Sequence, residues 1–179
     1  MDLTILIPVH SNEPTIGRTL ASIERTWVEA QRPDGLRVVI VVDGIVDSSL
    51  DSIERWRASA PIPTTVIVQD NAGVANARNA AWRAAITTWV TFLDADDELT
   101  SERLSFADSA LSPGTVYIGR QDVTAEAGLR IPGTNQNRRP DIHLITMILE
   151  VSVLQLVGGL DESLRVSDDW DLAIRLNEH

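Results

Sequence analysis

The sequence predicts an α/β fold built on a mostly parallel central sheet, and three observations carry that expectation. Apolar, β-branched runs alternate with helical segments through the first half. The run 36–42 is apolar at nearly every position, as in a strand buried on both faces. A further apolar run, 89–93, stops abruptly at Asp94, Asp96 and Asp97. Strands alternating with helices argue for parallel βαβ units with right-handed crossovers. At 179 residues the chain reads as one domain, long enough to bury a real core.

In chain order, 3–9 reads as the first strand. Asn12-Glu13-Pro14 reads as a helix start, because proline is tolerated in a first turn. The helix runs to about Glu29 with Ile16, Leu20, Ile23 and Trp27 on one face. Residues 36–42 form the second strand, 48–56 a helix, 64–68 the third strand, 74–86 an alanine-rich helix and 89–93 the fourth strand. Beyond it, 102–110 reads as helix and 115–118 as strand. Residues 119–141 show little periodicity, and a structureless loop of that length is usually functional or mobile. The apolar stretch 142–157 reads as a buried helix, or helix plus strand, serving either as core or as a dimer face, and Gly158-Gly159 breaks it. Asp168-Asp169-Trp170-Asp171 opens a last helix, where acidic residues suit the N-terminal dipole and Trp170 fills core.

Composition narrows the function classes. A net charge of −11 disfavours nucleic acid, which needs basic patches, and is a poor match to anionic lipid. The absence of cysteine removes disulfides, thiolate metal sites and a cysteine nucleophile. Every basic residue is arginine, so a P-loop lysine and Schiff-base chemistry are also excluded, and anions must be met by arginine, backbone N–H groups or metal. No apolar run is long enough to span a bilayer, and the start carries no basic leader, so the expectation is a cytoplasmic protein, at most peripheral at the inner face of a membrane.

The chemistry gathers where strands end. Asp94 and Asp96 follow the fourth strand, and Asp43 follows the second, which puts carboxylates in the crevice where open α/β sheets bind ligands. Carboxylates are hard ligands suited to Mg²⁺ or Mn²⁺ shared with substrate phosphates, although a solvated capping cluster has the same composition. Asp43 either accepts hydrogen bonds from a base or ribose or caps the turn before Gly44. In the segment 71–79, Gly73 permits close backbone approach at a helix N-terminus. Arg78, a turn into that helix, reaches either a phosphate or a neighbouring carboxylate. One of Asp168 and Asp169 serves as a general base, or both merely cap a helix. His10 ends the first strand near the crevice, where a lone histidine is more often a loop residue than a metal ligand.

Taken in order, these segments resemble the family 2 inverting glycosyltransferases of GT-A fold, a Rossmann-like three-layer sandwich. Residues 5–12 resemble the family's opening Pro-x-Tyr-Asn strand, with His10 at the aromatic position. Residues 41–47 resemble Asp-Asp-Gly-Ser-x-Asp, with Val42 in place of the first Asp and Asp43 at the second. Residues 71–79 are similar to the Gly-x-x-x-Ala-Arg-Asn segment, 92–97 to the nucleotide-sugar metal motif, and 158–162 with 168–172 to the Gly-Gly-Phe-Asp-Glu and Glu-Asp-Trp-Asp-Leu pair. The resemblance implies a donor site formed by Pro8, Val9, His10, Asp43, Asn71, Gly73, Arg78, Asp94 and Ala95, with Asp96 and Asp94 on a divalent cation and Asp169 as catalytic base. It implies a nucleotide-binding half over about 1–98 and an acceptor and catalytic-base half over about 99–179 that is short at its C-terminus. Residues 119–157 match poorly, and Glu150-Val151 stand where the family often has arginine.

The implied reaction moves a sugar from a UDP-, GDP- or dTDP-sugar to the hydroxyl of a glycan, a lipid-linked acceptor or a small molecule, with inversion and with Mn²⁺ or Mg²⁺. The alternative is a non-catalytic nucleotide-sugar binding or regulatory module. A haloacid-dehalogenase-type phosphatase also places Asp-x-Asp after an apolar strand. That chemistry expects threonine or valine two residues after the second Asp and a downstream lysine, whereas position 98 is Glu and lysine is absent.

Overall fold

A computed structural model describes residues 2–31, 33–109, 111–119, 143–164 and 168–177. The elements run β1 (Leu3–Val9), α1 (Ile16–Glu29), β2 (Leu36–Asp43), α2 (Ser49–Ser59), β3 (Thr64–Gln69), α3 (Val74–Arg83), β4 (Trp89–Phe92), α4 (Ser101–Ser109) and β5 (Tyr117–Ile118). A 3-10 turn (Leu144–Thr146), β6 (Met147–Glu150), α5 (Val151–Val157) and α6 (Asp168–Asn177) complete the order. Most of the segment 119–141 lies outside the described residues.

The six strands form one sheet in the order β3-β2-β1-β4-β6-β5. The first four are parallel, while β6 runs antiparallel to β4 and β5 antiparallel to β6. The expected parallel sheet is therefore confined to the alternating first half of the chain. Beyond β4 the described residues show no βαβ repeat to enforce parallel pairing.

Alternation along the strands builds two cores. Leu3, Ile5, Ile7 and Val9 of β1, with Leu36, Val38, Ile40 and Val42 of β2, pack under Ile16, Leu20 and Ile23 of α1, Ile53 of α2 and Leu104 of α4. Leu6, Val39 and Val41 face the other way, toward Ala75, Ala77, Ala81 and Trp82 of α3, Leu154 of α5 and Leu172 of α6. The result is a three-layer α/β/α sandwich. Each fully buried aliphatic side chain contributes about 1.5–3 kcal/mol, and every position of β1 is buried.

Several boundaries differ from the sequence expectation for local reasons. The helix expected from Asn12 starts at Ile16, because Asn12 O caps a preceding turn by accepting the N–H groups of Thr15 and Ile16. The alanine-rich helix stops at Arg83, with Ala84 and Ala85 closing its last turn. The apolar stretch 142–157 becomes a 3-10 turn, a strand and a short helix; Leu144, Met147, Ile148, Leu149 and Leu154 are core, and Leu156 is exposed. Trp170, expected in the core, is 53% exposed, because Asp168 and Leu172 take the inward positions of α6.

Candidate active site

Register decides what meets at the sheet edge. Val9 of β1 lies opposite Val42 of β2, and Leu6 lies opposite Phe92 of β4. The three parallel strands therefore deliver His10, Asp43 and the 94–96 segment to the same edge. A cavity of about 310 Å³ opens there, lined by Pro8, Val9, His10, Asp43, Asn71, Gly73, Arg78, Asp94, Ala95 and Asp96 among others. Every residue that the sequence placed in a donor or metal site lines this one cavity. Asp169, the expected base, is not on its wall.

Asp43 is buried at 3% exposure, and its carboxylate organises the loop after β3. Oδ1 accepts Gln69 Nε2 at 2.9 Å and the Ala72 N–H at 2.8 Å, and Oδ2 accepts the Gly73 N–H at 2.8 Å. Gly73 sits at φ +94°, in the region L side chains rarely adopt, which turns its N–H toward Asp43 at the start of α3. His10 Nδ1 lies 2.6 Å from the Asp43 carbonyl oxygen, tying the end of β1 to that of β2.

The 94–97 segment is held by α1, where Thr19 Oγ1 donates to Ala95 O at 2.9 Å and Arg18 to Asp96 O at 3.1 Å. Among the described residues no hydrogen bond or ion pair engages the Asp96 carboxylate, which is exposed. Asp97 does not cap α4; its N–H closes a turn onto Asp94 O at 3.0 Å. Burial, and then the charges of Asp94 and Asp96, push the Asp97 carboxyl above the ordinary range despite Arg103 and Arg18.

Arg78 joins two acids. One guanidinium nitrogen donates to Asp94 Oδ1 at 2.9 Å and another to Asp168 Oδ2 at 2.8 Å, and the side chain is only 10% exposed. Burial alone would lower its pKa, but the two carboxylates outweigh that and hold it above the usual arginine value. Asp168 is thus a buried ion-pair partner rather than a simple helix cap.

Asp169 follows it at the start of α6. Its Oδ1 accepts the Trp170 N–H at 2.9 Å, and its Oδ2 lies 3.5 Å from His143 Nδ1. The 3-10 turn that carries His143 is itself anchored, since Arg103 donates to Ile145 O and, at 3.1 Å, to Thr91 Oγ1. Burial pushes the Arg103 pKa down to about 10.

A second polar joint fixes the loop before α6. Asn79 donates to Leu160 O at 2.8 Å and to Glu162 Oε1 at 2.8 Å, while its Oδ1 accepts the Leu160 N–H at 2.9 Å and Trp82 Nε1 at 2.8 Å. Gly159 is required in this joint, because a Cβ there would lie 2.6 Å from Asn79 Oδ1, at φ +76°. Glu162 also accepts Asn76 Nδ2 at 3.0 Å and Arg83 at 3.2 Å. These bonds, Asn79 first, hold its carboxyl below the usual range.

Sequence reasoning missed His143, Arg103, Gln69 and Asn76. Only Gln69 had a readable signal, a polar residue ending an apolar strand two residues before Asn71.

The profile of the Glycosyl transferase family 2 matches residues 4–145. The chain is 35% identical over 97 residues to an uncharacterized glycosyltransferase of Nostoc sp., covering 54% of this chain and 29% of that protein. It is 25% identical over 107 residues to the poly(ribitol-phosphate) beta-N-acetylglucosaminyltransferase TarS of Staphylococcus aureus, covering 60% of this chain and 18% of that protein. Among solved structures, residues 1–349 of S. aureus TarS in complex with UDP superpose with a TM-score of 0.78 at 20% identity, covering 98% of this chain and 55% of that one. The mannosyltransferase PcManGT of Pyrobaculum calidifontis, in complex with GDP-Man and Mn²⁺, gives 0.74 at 22% identity, covering 97% and 51%. These likenesses establish the GT-A fold. The chain spans less than a third of the length of the first curated relatives and about half of the solved ones.

Proposed function

The chain belongs to glycosyl transferase family 2, and from that premise we propose that it binds a nucleoside-diphosphate sugar in the cavity at the sheet edge and transfers the sugar, with inversion, to an acceptor hydroxyl. The observation that carries this reading is the convergence of Asp43, Arg78, Asp94 and Asp96 on one cavity at the ends of parallel strands. Related proteins in complex with UDP and with GDP-Man support the donor class.

The residues present fit a divalent cation. Asp96 is exposed, Arg78 engages only Oδ1 of Asp94, and both residues line the cavity. Among the described residues no group of three or more acidic or histidine side chains could hold an ion alone. A hard cation here would use one or two carboxylates and complete its shell with substrate phosphate oxygens and water, the usual arrangement for Mg²⁺. When bound, it would supply positive charge against the leaving diphosphate.

The chain's own groups do the rest. Asp43 receives the base, and Pro8, Val9, His10 and Asn71 wall the nucleoside; Gly73 lets the start of α3 approach it closely. Arg78 keeps Asp94 oriented. Asp169 takes the proton from the acceptor hydroxyl as that oxygen attacks the anomeric carbon and the bond to the diphosphate breaks. Arg78 ties Asp168, the first residue of the helix bearing Asp169, to α3.

The test is transfer or hydrolysis measured over a panel of nucleotide sugars with and without MnCl₂, followed by two substitutions. Asp169→Asn should keep nucleotide binding and lose about 10²–10⁴ in turnover. Asp96→Ala should lose metal-dependent binding and about 10²–10³ in turnover. Unchanged transfer in both variants would sink this mechanism, and tight binding without turnover in the native chain would favour a binding module instead.

A further inference from the structure

We infer that His143 is a positioning residue for the proposed base: its Nδ1–H steadies the Asp169 carboxylate from outside α6. The inference rests on the reading of Asp169 as base and deepens it.

Asp169 Oδ1 accepts the Trp170 N–H at 2.9 Å, a bond within its own helix start. Oδ2 has one partner among the described residues, His143 Nδ1 at 3.5 Å. An ionised carboxylate only accepts, so Nδ1 carries the hydrogen in this contact. The separation exceeds that of a closed N–H···O bond, about 2.7–3.2 Å, and contacts of this kind commonly tighten when substrate arrives. The carboxylate is the more buried partner, at 21% side-chain exposure against 43%. A partly desolvated carboxylate gains more from a fixed donor than a fully solvated one does.

The pair meets because each end is fixed independently. Leu144, beside His143, and Leu172, nearly one turn on from Asp169, share one core cluster. His143 O accepts the Thr146 N–H at 2.9 Å and Thr146 Oγ1 at 2.7 Å. Thr91 Oγ1 donates to Met147 O at 2.8 Å, which pins the end of that turn to β4 alongside the bonds from Arg103. On the other side Arg78 holds Asp168, and Arg175 donates to Val157 O at 2.6 Å. The His143 imidazole takes no part in capping its own turn. Its contact is with Asp169.

A base must present an oxygen lone pair to the acceptor hydroxyl as that oxygen attacks. A carboxylate tied by one donor pivots about its Cβ–Cγ bond, and a second donor on the other oxygen removes that freedom. Orientation of this kind acts on the chemical step and leaves donor binding alone. The charged groups nearby are engaged elsewhere: Arg78 pairs with Asp94 and Asp168, and Arg103 donates to backbone and hydroxyl oxygens.

The experiment is steady-state kinetics in MnCl₂ over a panel of UDP-, GDP- and dTDP-sugars, for the native chain, His143→Ala, His143→Asn, Asp169→Asn and the His143→Ala, Asp169→Asn pair. Thermal melting is measured alongside. His143→Ala should lower kcat about tenfold, with KM for the nucleotide sugar and the melting temperature unchanged. Asparagine sets an amide nitrogen near the place of Nδ1, so His143→Asn should return kcat to within about threefold of native. In the Asp169→Asn background His143→Ala should cost nothing further, because the group it positions is gone. A native kcat in His143→Ala beside an inactive Asp169→Asn overturns the inference and leaves the base reading intact. Equal losses in His143→Ala and His143→Asn overturn it too, as does a His143→Ala variant that melts lower and raises KM along with its loss of kcat. Should His143→Ala not fold, His143→Gln, which moves the amide out to the place of Nε2, replaces it with the same readings. Native turnover in Asp169→Asn, or none in the native chain with any sugar of the panel, sinks the base reading, and the inference falls with it.

Discussion

The parallel half of the sheet and the part of the chain that follows it are held together by different forces. Strands β1 and β2 are apolar and buried almost throughout, and the helices over them contribute aliphatic residues at helical spacing. The 143–164 segment and α6 also bury apolar residues, but they are joined to the first half by side-chain hydrogen bonds and ion pairs. Arg78 reaches Asp168, Asn79 grips Leu160, Asn76, Asn79 and Arg83 converge on Glu162, and Arg103 anchors the turn before β6. Three of these joints start from α3. Its inner face packs on β1 and β2, and its polar residues reach across to the elements that carry the expected base. Burial of apolar surface is tolerant of small shifts, whereas these joints fix distances. The division places the strand-end cavity on the hydrophobic half and sets Asp169, the proposed base, relative to it by polar contacts.

The most direct way to break that arrangement is to remove Arg78. Arg78→Met leaves two acids 33% and 7% exposed without their cation. Removing one partner of a buried ion pair costs about 3–5 kcal/mol, and the partial exposure of Asp94 places this case toward the lower end. Urea denaturation should show a loss of about 3 kcal/mol. Adding Asp168→Asn should recover part of it, because the stranded charge is then gone. A loss below about 1 kcal/mol would mean that the two regions are not joined here.

The same division explains what could be read from the sequence. Strand positions in the first half follow from alternation and β-branched runs, and strand ends follow from where those runs stop. The edge residues Asp43, Asp94 and Asp96 were therefore visible, and parallel register alone brings them together. The joints are not periodic. Nothing near Arg78 in sequence indicates that it pairs with an acid 90 residues away, and nothing marks His143 as the neighbour of Asp169. The antiparallel insertion of β6 was illegible for a related reason: a short apolar run has the same composition as strand or buried helix until its partner, β4, decides. Trp170 illustrates the converse error. Its size suggested core, but the inward face of α6 was set by the ion pair of Asp168 and by Leu172.

A second cut falls on Asn79, whose side chain satisfies both the N–H and the C=O of Leu160 as well as Trp82 Nε1. Asn79→Ala strands three buried polar groups around a residue that is itself fully buried. Each orphaned group costs about 1–3 kcal/mol, though relaxation of the 158–162 turn should let water reach some of them. A net loss of about 2 kcal/mol is expected. Hydrogen exchange should report the loss first at Leu160, whose N–H is held by Asn79, while the amides of β1 and β2 keep their protection until global unfolding. Uniform loss across both regions would show that the joint is not a separate unit.

The smallest effect sharpens the comparison through pH. Glu162 is 40% exposed, and its carboxyl is held below the ordinary range by hydrogen bonds from Asn79 first and then from Asn76 and Arg83. A lowered folded pKa means that the unfolded chain binds the proton more readily, so the native state gains stability as pH rises through the carboxylate range. That gain is fully present above the unfolded pKa and is lost as pH falls through the folded one. Glu162→Gln removes the charge and turns one acceptor oxygen into a donor facing donors. At neutral pH the variant should be less stable by about 1 kcal/mol, which for a chain of this size lowers Tm by about 2–4 °C. In acid, where the native carboxylate is itself protonated, the difference should shrink toward zero. A deficit that stayed constant from neutral to acid pH would show that Glu162 holds the 158–162 turn by shape alone, and that charge has no part in joining the two regions at this point.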